Sequence, residues 1–386
     1  MALTLASIAL SIPAIVSLIV DYLVADAVES RSCRPGSDAR LAQLPAYYAV
    51  LCSHACISRA FSRECETVLA SHVVFVHGTP QLSQYLDSVA ARLGRTKRKK
   101  TKFVSFLDPL PFKVGVKWDL DAVKNVLGRL EGCERLNLGF MGQDKLPVEW
   151  LALENLKSVR CLQLGSPLGA LETSPRPSFT DLTVFAPVDQ FPRLGRSWYE
   201  TFAHLSSFPA LRIAHLDLSH FPSFATYLVP SLYPFASSLS ALSLPSLDAS
   251  ALFVFFQACT SLKSVSVAHL AAASSPSLCY LLVLPDTVAS VSFGSIVGSV
   301  AGDHDWTPAG HASDVVSRLA DTLDDLAKSD AHRRLERVEL GTVKWFLPGH
   351  ATRFAQYSTA SGVHVSIDEV DNSRTEAEVS PISLPP

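Results

Sequence analysis

A short pattern of apolar residues recurs along most of this 386-residue chain. Each copy reads apolar-x-x-apolar-x-apolar-x-x-apolar, and equivalent positions in successive copies are between 20 and 47 residues apart. A segment with this pattern cannot bury its apolar side alone, so consecutive copies are expected to stack against one another. The eight clear copies span residues 133–141, 159–167, 179–187, 213–221, 239–247, 262–270, 288–296 and 335–343, and two weaker copies span 101–109 and 362–370.

The central apolar residues of each copy indicate a short β-strand. In the copy at 239–247, Leu242 and Leu244 are expected to point to one side of the strand, and Ser243 to the other. Parallel stacking of such strands buries the central residues, and burial of one leucine is worth roughly 1.5–3 kcal/mol. The equivalent positions that we expect to align are Leu136, Leu162, Leu182, Leu216, Leu242, Val265, Val291 and Val338.

Several segments between the copies have the periodicity of helices. Leu252, Phe255, Phe256 and Cys259 follow the spacing i, i+3, i+4 and i+7, which predicts one buried helix face. Strands that alternate with helices predict an α/β fold with parallel strands. A second predicted helix has the buried face Val316, Leu319, Leu323 and Leu326.

This recurring pattern resembles the leucine-rich repeat. The resemblance implies that residues 71–370 form a leucine-rich-repeat solenoid, with parallel strands on a concave face and helices and loops on a convex face. The asparagine common at the ninth position of that repeat is replaced, for example by Met141, Pro167 and Leu247. A mixed α/β fold with a parallel sheet is the structural alternative. Residues 371–386 are polar and proline-containing without periodicity, so we expect a disordered tail.

The N-terminus carries no charged residue over positions 2–20. One interpretation is a secretory signal or a membrane anchor, but a signal peptide has a positively charged start, and no Lys or Arg precedes position 31. The competing interpretation is a helix that begins near Pro13, since proline suits the first turn of a helix. Val16 and Ile19 then fall on a face that another part of a protein can bury.

Two stretches of the N-terminal region are similar to the signatures of the F-box, a small helical module. "IPAIVSLIVDYL" at 12–23 is similar to its first helix, and "ISRAF" at 57–61 is similar to its second signature. "VLASHVVF" at 68–75 resembles the usual exit into a first strand. The resemblance implies an F-box-like module at residues 1–70 that docks on a Skp-type adaptor of a cullin-type ubiquitin ligase. The adaptor-facing or module-core candidates are Pro13, Leu18, Ile19, Leu23, Ile57 and Phe61.

The resemblance to both families implies a substrate receptor that performs no chemistry itself and presents an unknown protein target to the ligase. A repeat scaffold with a degenerate helical cap, which does not associate with a ligase, is the alternative. In either case the residue between the two core residues of each strand faces outward and is the natural contact position. The substrate-binding candidates are Asn137, Gln163, Asp217, Ser243 and Glu339.

Signals for catalysis or metal binding are weak. "VVFVHGTP" at 73–80 has the His-Gly pair of an α/β-hydrolase oxyanion loop, but the sequence has no Gly-x-Ser-x-Gly elbow to supply the nucleophile. Cys52, His54 and Cys56 lack the second ligand pair of a zinc finger or ribbon, and the two cysteines are interpreted as buried helix residues. We therefore expect no catalytic residue, no cofactor and no metal site.

Charge and cysteine content restrict the partners. A net charge of −3 gives no overall attraction to nucleic acid. The basic run at 95–102 is either a nuclear-import signal or a solvated connection, and no aromatic residues alternate with its basic ones. Eight cysteines in so long a chain are too few for a disulfide scaffold and are expected to be reduced. We expect an intracellular protein, in the cytoplasm and/or nucleus, without nucleic-acid or membrane partners.

Overall fold

The structure is a computed structural model of the chain. The chain divides into two compact units, Met1–Ala214 and His215–Pro386, which are called the first and the second unit below. The structure describes residues 15–20, 56–76, 102–107, 118–139, 145–169, 176–187, 195–219, 229–245, 252–271, 284–297, 310–328, 334–344 and 348–371.

The first unit alternates strands with short helices. Its returning segments include two 3-10 helices, Val148–Ala152 and Glu154–Leu156. The helices are α1 (15–20), α2 (Arg59–Ser71), α3 (Leu120–Leu127) and α4 (Gly195–Ser206). The strands are β1 (His72–Val76), β2 (Phe103–Leu107), β3 (Arg135–Gly139), β4 (Cys161–Leu164), β5 (Asp181–Pro187) and β6 (Arg212–Asp217), and the boundary between the two units falls inside β6.

Four strands of the second unit have eight residues each, and two of its helices have 19 and 14 residues. The short helix α5 (Val229–Leu232) continues into a 3-10 helix, Tyr233–Ser238. The other helices are α6 (Leu252–Ala258), α7 (Gly310–Lys328) and α8 (Pro348–Ser361). The strands after β6 are β7 (Ala241–Leu244), β8 (Ser264–Ala271), β9 (Ser290–Val297), β10 (Arg337–Lys344) and β11 (His364–Asp371).

Neighbouring strands in each unit are parallel and follow the order of the chain. In the first unit β1 to β5 pair consecutively, and Leu136 lies opposite Leu162. In the second unit β6 to β11 pair consecutively, and Leu216 lies opposite Leu242. The prediction of an α/β fold with parallel strands is thus confirmed in each unit. The alignment of Val265, Val291 and Val338 is also as predicted.

The predicted alignment of β5 is wrong by three residues. Phe185, not Leu182, lies opposite Leu162. Both Leu182 and Phe185 are buried, so the regular alternation of buried and exposed residues is interrupted within this seven-residue strand. The sequence pattern matched the first of the two buried residues, whereas the pairing with β4 uses the second.

Aromatic rings fill much of the interior of the first unit. Phe106 stacks on Phe75 with ring centroids 4.9 Å apart, and it also forms a T-shaped pair with Trp118, whose ring centroid is 5.8 Å away. Trp118 precedes α3, whose first turn is capped by Asp119, because the Asp119 Oδ1 accepts the Ala122 N–H at 3.0 Å. The cap therefore fixes the start of the helix next to the ring that packs on the strand.

The predicted helix faces of the second unit are buried. Leu252, Phe255, Phe256 and Cys259 of the α6 region are all fully buried, as the spacing indicated. The rings of Phe255 and Tyr233 form a T-shaped pair with centroids 5.8 Å apart. On α7 the predicted positions Val316, Leu319 and Leu323 are buried, while the side chain of Leu326 lies outside the described residues.

Candidate binding surfaces

The helix α1 separates its apolar side chains between two faces. Val16 and Val20 are four residues apart, on the same side of a helix, and both are fully buried. Leu18 lies two residues from each and is 69% exposed, while Ile19 is half-buried. The exposed leucine is therefore available for contact, and the two valines are not.

The segment that resembles the second F-box signature also has both exposed and buried apolar side chains. Ile57 is 55% exposed, whereas Phe61 and Cys65 are buried. The Phe61 N–H donates to the Ser58 Oγ at 3.2 Å, so Ser58 caps the start of α2 and fixes where the buried face begins. Of the six predicted adaptor residues, the structure exposes Leu18 and Ile57 and buries Phe61. Pro13 and Leu23 lie outside the described residues.

A row of residues lies between the buried pairs of the strands in the first unit, and we call it the first intervening row. Asn137 lies opposite Gln163 on the next strand, as the predicted contact row requires, and opposite Ser105 on the preceding one. Asn137 and Gln163 are half-buried. The Asn137 Oδ1 atom is buried and accepts no hydrogen bond from the part of the chain that the structure describes. The row is composed of uncharged side chains.

The second unit has an equivalent row, the second intervening row. Its members lie at matching register positions on six successive strands and are half-buried. Three predicted contact residues, Asp217, Ser243 and Glu339, belong to it. In order along the strands it contains Asp217, Ser243, Ser266, Ser292, Glu339 and Ser366.

Asp217 has two neighbours that the sequence analysis did not single out. The Ser219 backbone N–H and the Ser219 Oγ donate to the Asp217 Oδ1 at 3.0 and 2.6 Å. His215 lies on the same face of β6, and its Nε2 is 3.0 Å from the Ser243 Oγ. Burial lowers the pKa of His215, and the Asp217 carboxylate opposes part of that effect. The spacing of two residues between 215, 217 and 219 was the available sequence signal.

Glu339, the other carboxylate of the second intervening row, has a cationic partner. The Arg337 Nε lies 2.6 Å from the Glu339 Oε1. Arg337 precedes Glu339 by two residues on β10, so both side chains leave the same face of the strand. The row therefore holds one neutralised carboxylate and one that has no ion-pair partner in the described part of the chain.

The buried cysteines are poor nucleophiles and poor metal ligands. Burial raises the pKa of Cys133 and of Cys259 to about 12, so both thiols stay protonated near neutral pH. Cys56 is exposed in a turn before α2, which corrects the expectation that it is a buried helix residue. The described residues contain no group of three or more His, Cys, Asp or Glu side chains arranged to hold a metal ion. Among the described helices, none is long and apolar enough to cross a membrane.

Comparison with known proteins does not assign the chain to a family. No model of a protein family matches the sequence, and a search of curated proteins finds none with a similar sequence. The function is therefore argued from the surfaces described above.

Proposed function

We propose that this chain is a non-enzymatic protein-binding protein, an F-box-like substrate receptor of a cullin-type ubiquitin ligase. In this proposal residues 1–70 form the F-box-like module that binds a Skp-type adaptor, and residues 71–370 form a leucine-rich-repeat solenoid that presents a protein target. The observation that carries the proposal is the exposure of Leu18 and Ile57. Each lies in one of the two stretches that resemble the F-box, next to residues of the same stretch that are buried.

The exposed pair supports adaptor binding because an apolar side chain that is exposed in the free chain gains free energy when an interface buries it. Burying both in an interface is worth roughly 1.5–3 kcal/mol per side chain. The consecutive parallel strands support the repeat interpretation, since each strand is followed by a returning segment and its buried residues align with those of its neighbours. Holding a target close to the ligase raises its effective concentration there, so the chain needs no reactive group of its own.

The adaptor interaction is tested by a pull-down with a purified Skp-type adaptor. We expect the wild-type chain to retain the adaptor, and Leu18→Asp combined with Ile57→Asp to reduce retention by at least about tenfold, because burying a carboxylate without a partner is strongly unfavourable. The matched control is Val254→Asp, which changes a side chain of similar exposure, 53%, in the second unit. That control is expected to retain the adaptor fully.

Two results would reject the ligase role. One is a folded wild-type chain that retains no adaptor. The other is a double variant that binds as well as the wild type. Either result favours the alternative, a repeat scaffold with a helical cap and no ligase association. The ligase role also requires a location in the cytoplasm or nucleus, so cleavage of the protein within residues 1–23 during maturation would contradict it.

A further inference from the structure

We propose that Asp217, together with His215, Ser219 and Ser243, forms a site for one cationic side chain, an arginine or a lysine, of a bound protein segment. The inference rests on the proposed use of the second intervening row as a contact surface. It does not depend on adaptor binding, because none of these residues lies in the N-terminal region.

The first step is the orientation of the carboxylate. Both donors of Ser219, the backbone N–H and the hydroxyl, bond to the Asp217 Oδ1. Within the described residues the Asp217 Oδ2 accepts no hydrogen bond and joins no ion pair. A half-buried carboxylate held in this way offers one oxygen in a fixed position, and the orientation is set before any ligand arrives.

The second step is the charge around that oxygen. His215 is the basic side chain nearest along the strand, but burial lowers its pKa and favours the neutral ring, whose Nε2 faces the Ser243 Oγ. The negative charge of Asp217 therefore stays uncompensated near neutral pH. A partly buried anion without a counter-charge gains most from a ligand that supplies one.

The third step is the space beside the carboxylate. The next two strands carry Ser243 and Ser266 at the register positions of Asp217, and neighbouring strands are about 4.8 Å apart. Serines leave room for the long aliphatic part of an arginine or lysine, and their hydroxyl oxygens accept hydrogen bonds from its N–H groups. Because Ser219 already donates to the Asp217 Oδ1, an arginine is restricted in pairing with both carboxylate oxygens at once. We therefore expect lysine as well as arginine to bind.

Glu339 shows why Asp217 is the selective position. Its carboxylate occupies the same row but is neutralised by Arg337 at 2.6 Å. A ligand cation would have to displace that arginine and would gain little net interaction. The ion pair therefore explains why we assign the cation site to Asp217 and not to Glu339.

The test uses dense arrays of immobilised 12-residue peptides with blocked ends and a neutral background of Gly, Ala, Ser and Thr. Three pools differ only in a central Arg, Lys or Gln, and the probe is the labelled full-length chain. We expect retention on the Arg and Lys pools to exceed that on the Gln pool by about tenfold, the gain expected for a charge-assisted hydrogen bond. Asp217→Asn should abolish this preference, while Glu336→Gln, which changes an exposed carboxylate that precedes β10 and lies outside the row, should leave it intact.

Equal retention on the three pools by the wild-type chain, or an unchanged preference in Asp217→Asn, overturns the inference. If Asp217→Asn does not fold, the wild-type chain is compared at low and high salt, and the preference must fall as screening increases. A preference that salt does not change also overturns it. The adaptor pull-down is a separate readout: a chain that prefers the cationic pools but retains no adaptor supports this site and rejects the ligase role.

Discussion

The first and second units use the same inward-facing pairs of strand residues but fill the space behind them differently. In the first unit Phe106 is packed between Phe75 and Trp118, and two returning segments are 3-10 helices of five and three residues. In the second unit α7 has 19 residues and α8 has 14, and they supply apolar faces of their own. Rings are not confined to the first unit, because Val267 of β8 lies opposite Phe293 of β9 and both side chains are buried.

The intervening rows of the two units also differ. Asn137 and Gln163 make the first row uncharged, whereas the second row has Asp217 at one position and the neutralised Glu339 three strands beyond Ser243. Similar strands therefore present different chemistry. On the proposal that both rows contact partners, we expect hydrogen bonds to dominate recognition at the first row and charge at the second.

The largest expected effect compares a buried aromatic strand residue of the first unit with a buried aliphatic one of the second. Phe106→Ala removes a fully buried ring with two aromatic neighbours and should lower the free energy of unfolding by about 3–5 kcal/mol. Val267→Ala removes less volume beside helices and should cost roughly 2 kcal/mol. Denaturant unfolding monitored by circular dichroism measures both values.

Thr183→Ala is the control for these two changes, because Thr183 is exposed on β5. Its effect should stay within about 0.5 kcal/mol. An equal loss for Phe106→Ala and Val267→Ala would mean that the volume of the removed side chain does not set the loss of stability.

The second prediction concerns a close approach of strands in the second unit. A Cβ at Gly294 of β9 would lie 2.9 Å from the Ala268 carbonyl oxygen of β8, and backbone atoms there cannot easily move. Gly341 of β10 repeats the arrangement against the Gly294 carbonyl oxygen. We expect Gly294→Ala to reduce the free energy of unfolding by about 1–3 kcal/mol, the usual range for overpacking.

Gly128 in the first unit provides the matched control. It ends α3 in the right-handed region, with φ −66°, and a Cβ there would be 3.4 Å from the Lys124 carbonyl oxygen. Gly128→Ala should therefore be tolerated and should stabilise the chain by about 0.4–1 kcal/mol through the unfolded state. Thermal unfolding of both variants tests the contrast, and equal destabilisation would contradict it.

The strand alignment could largely be predicted because alternation of apolar residues encodes which face of a strand is buried. Leu136 and Leu162 in the first unit, and Leu216 and Leu242 in the second, were found where the pattern placed them. β5 could not be aligned correctly, since its two buried residues are three positions apart and only pairing with β4 selects between them.

The sequence identified which residues belong to the candidate surfaces. It did not fully predict which of them are exposed, ion-paired or hydrogen-bonded. Alternation alone puts Arg337 and Glu339 on one face of β10, so their ion pair was accessible to sequence reasoning. The contact of His215 with Ser243 was not, because the two residues are 28 positions apart and meet only through strand pairing. The exposure of Leu18 beside the half-buried Ile19 likewise depends on how α1 is rotated.

The smallest expected effect is a difference in acid sensitivity between the units. Burial lowers the pKa of His215 and His350 in the second unit, where Arg353 adds to the effect at His350, and burial also lowers the pKa of His204 in the first unit. A histidine whose folded pKa lies below its ordinary value of 6.5 binds fewer protons in the folded state. Its contribution to stability is complete above pH 6.5 and is lost as the pH falls through the folded pKa. With two such histidines among the described residues of the second unit against one among those of the first, the second unit should lose more stability in acid.

Hydrogen exchange of peptides from each unit between pH 7.5 and pH 5, corrected for the intrinsic exchange rate, measures this difference. His215→Gln should weaken the loss of protection in the second unit, because glutamine can still bond the Ser243 hydroxyl but takes up no proton in this range. His364→Gln is the matched control for the substitution itself, since His364 is exposed on β11 of the same unit. Equal acid sensitivity of the two units, or equal effects of the two substitutions, would show that burial of His215 does not determine the loss of protection in acid.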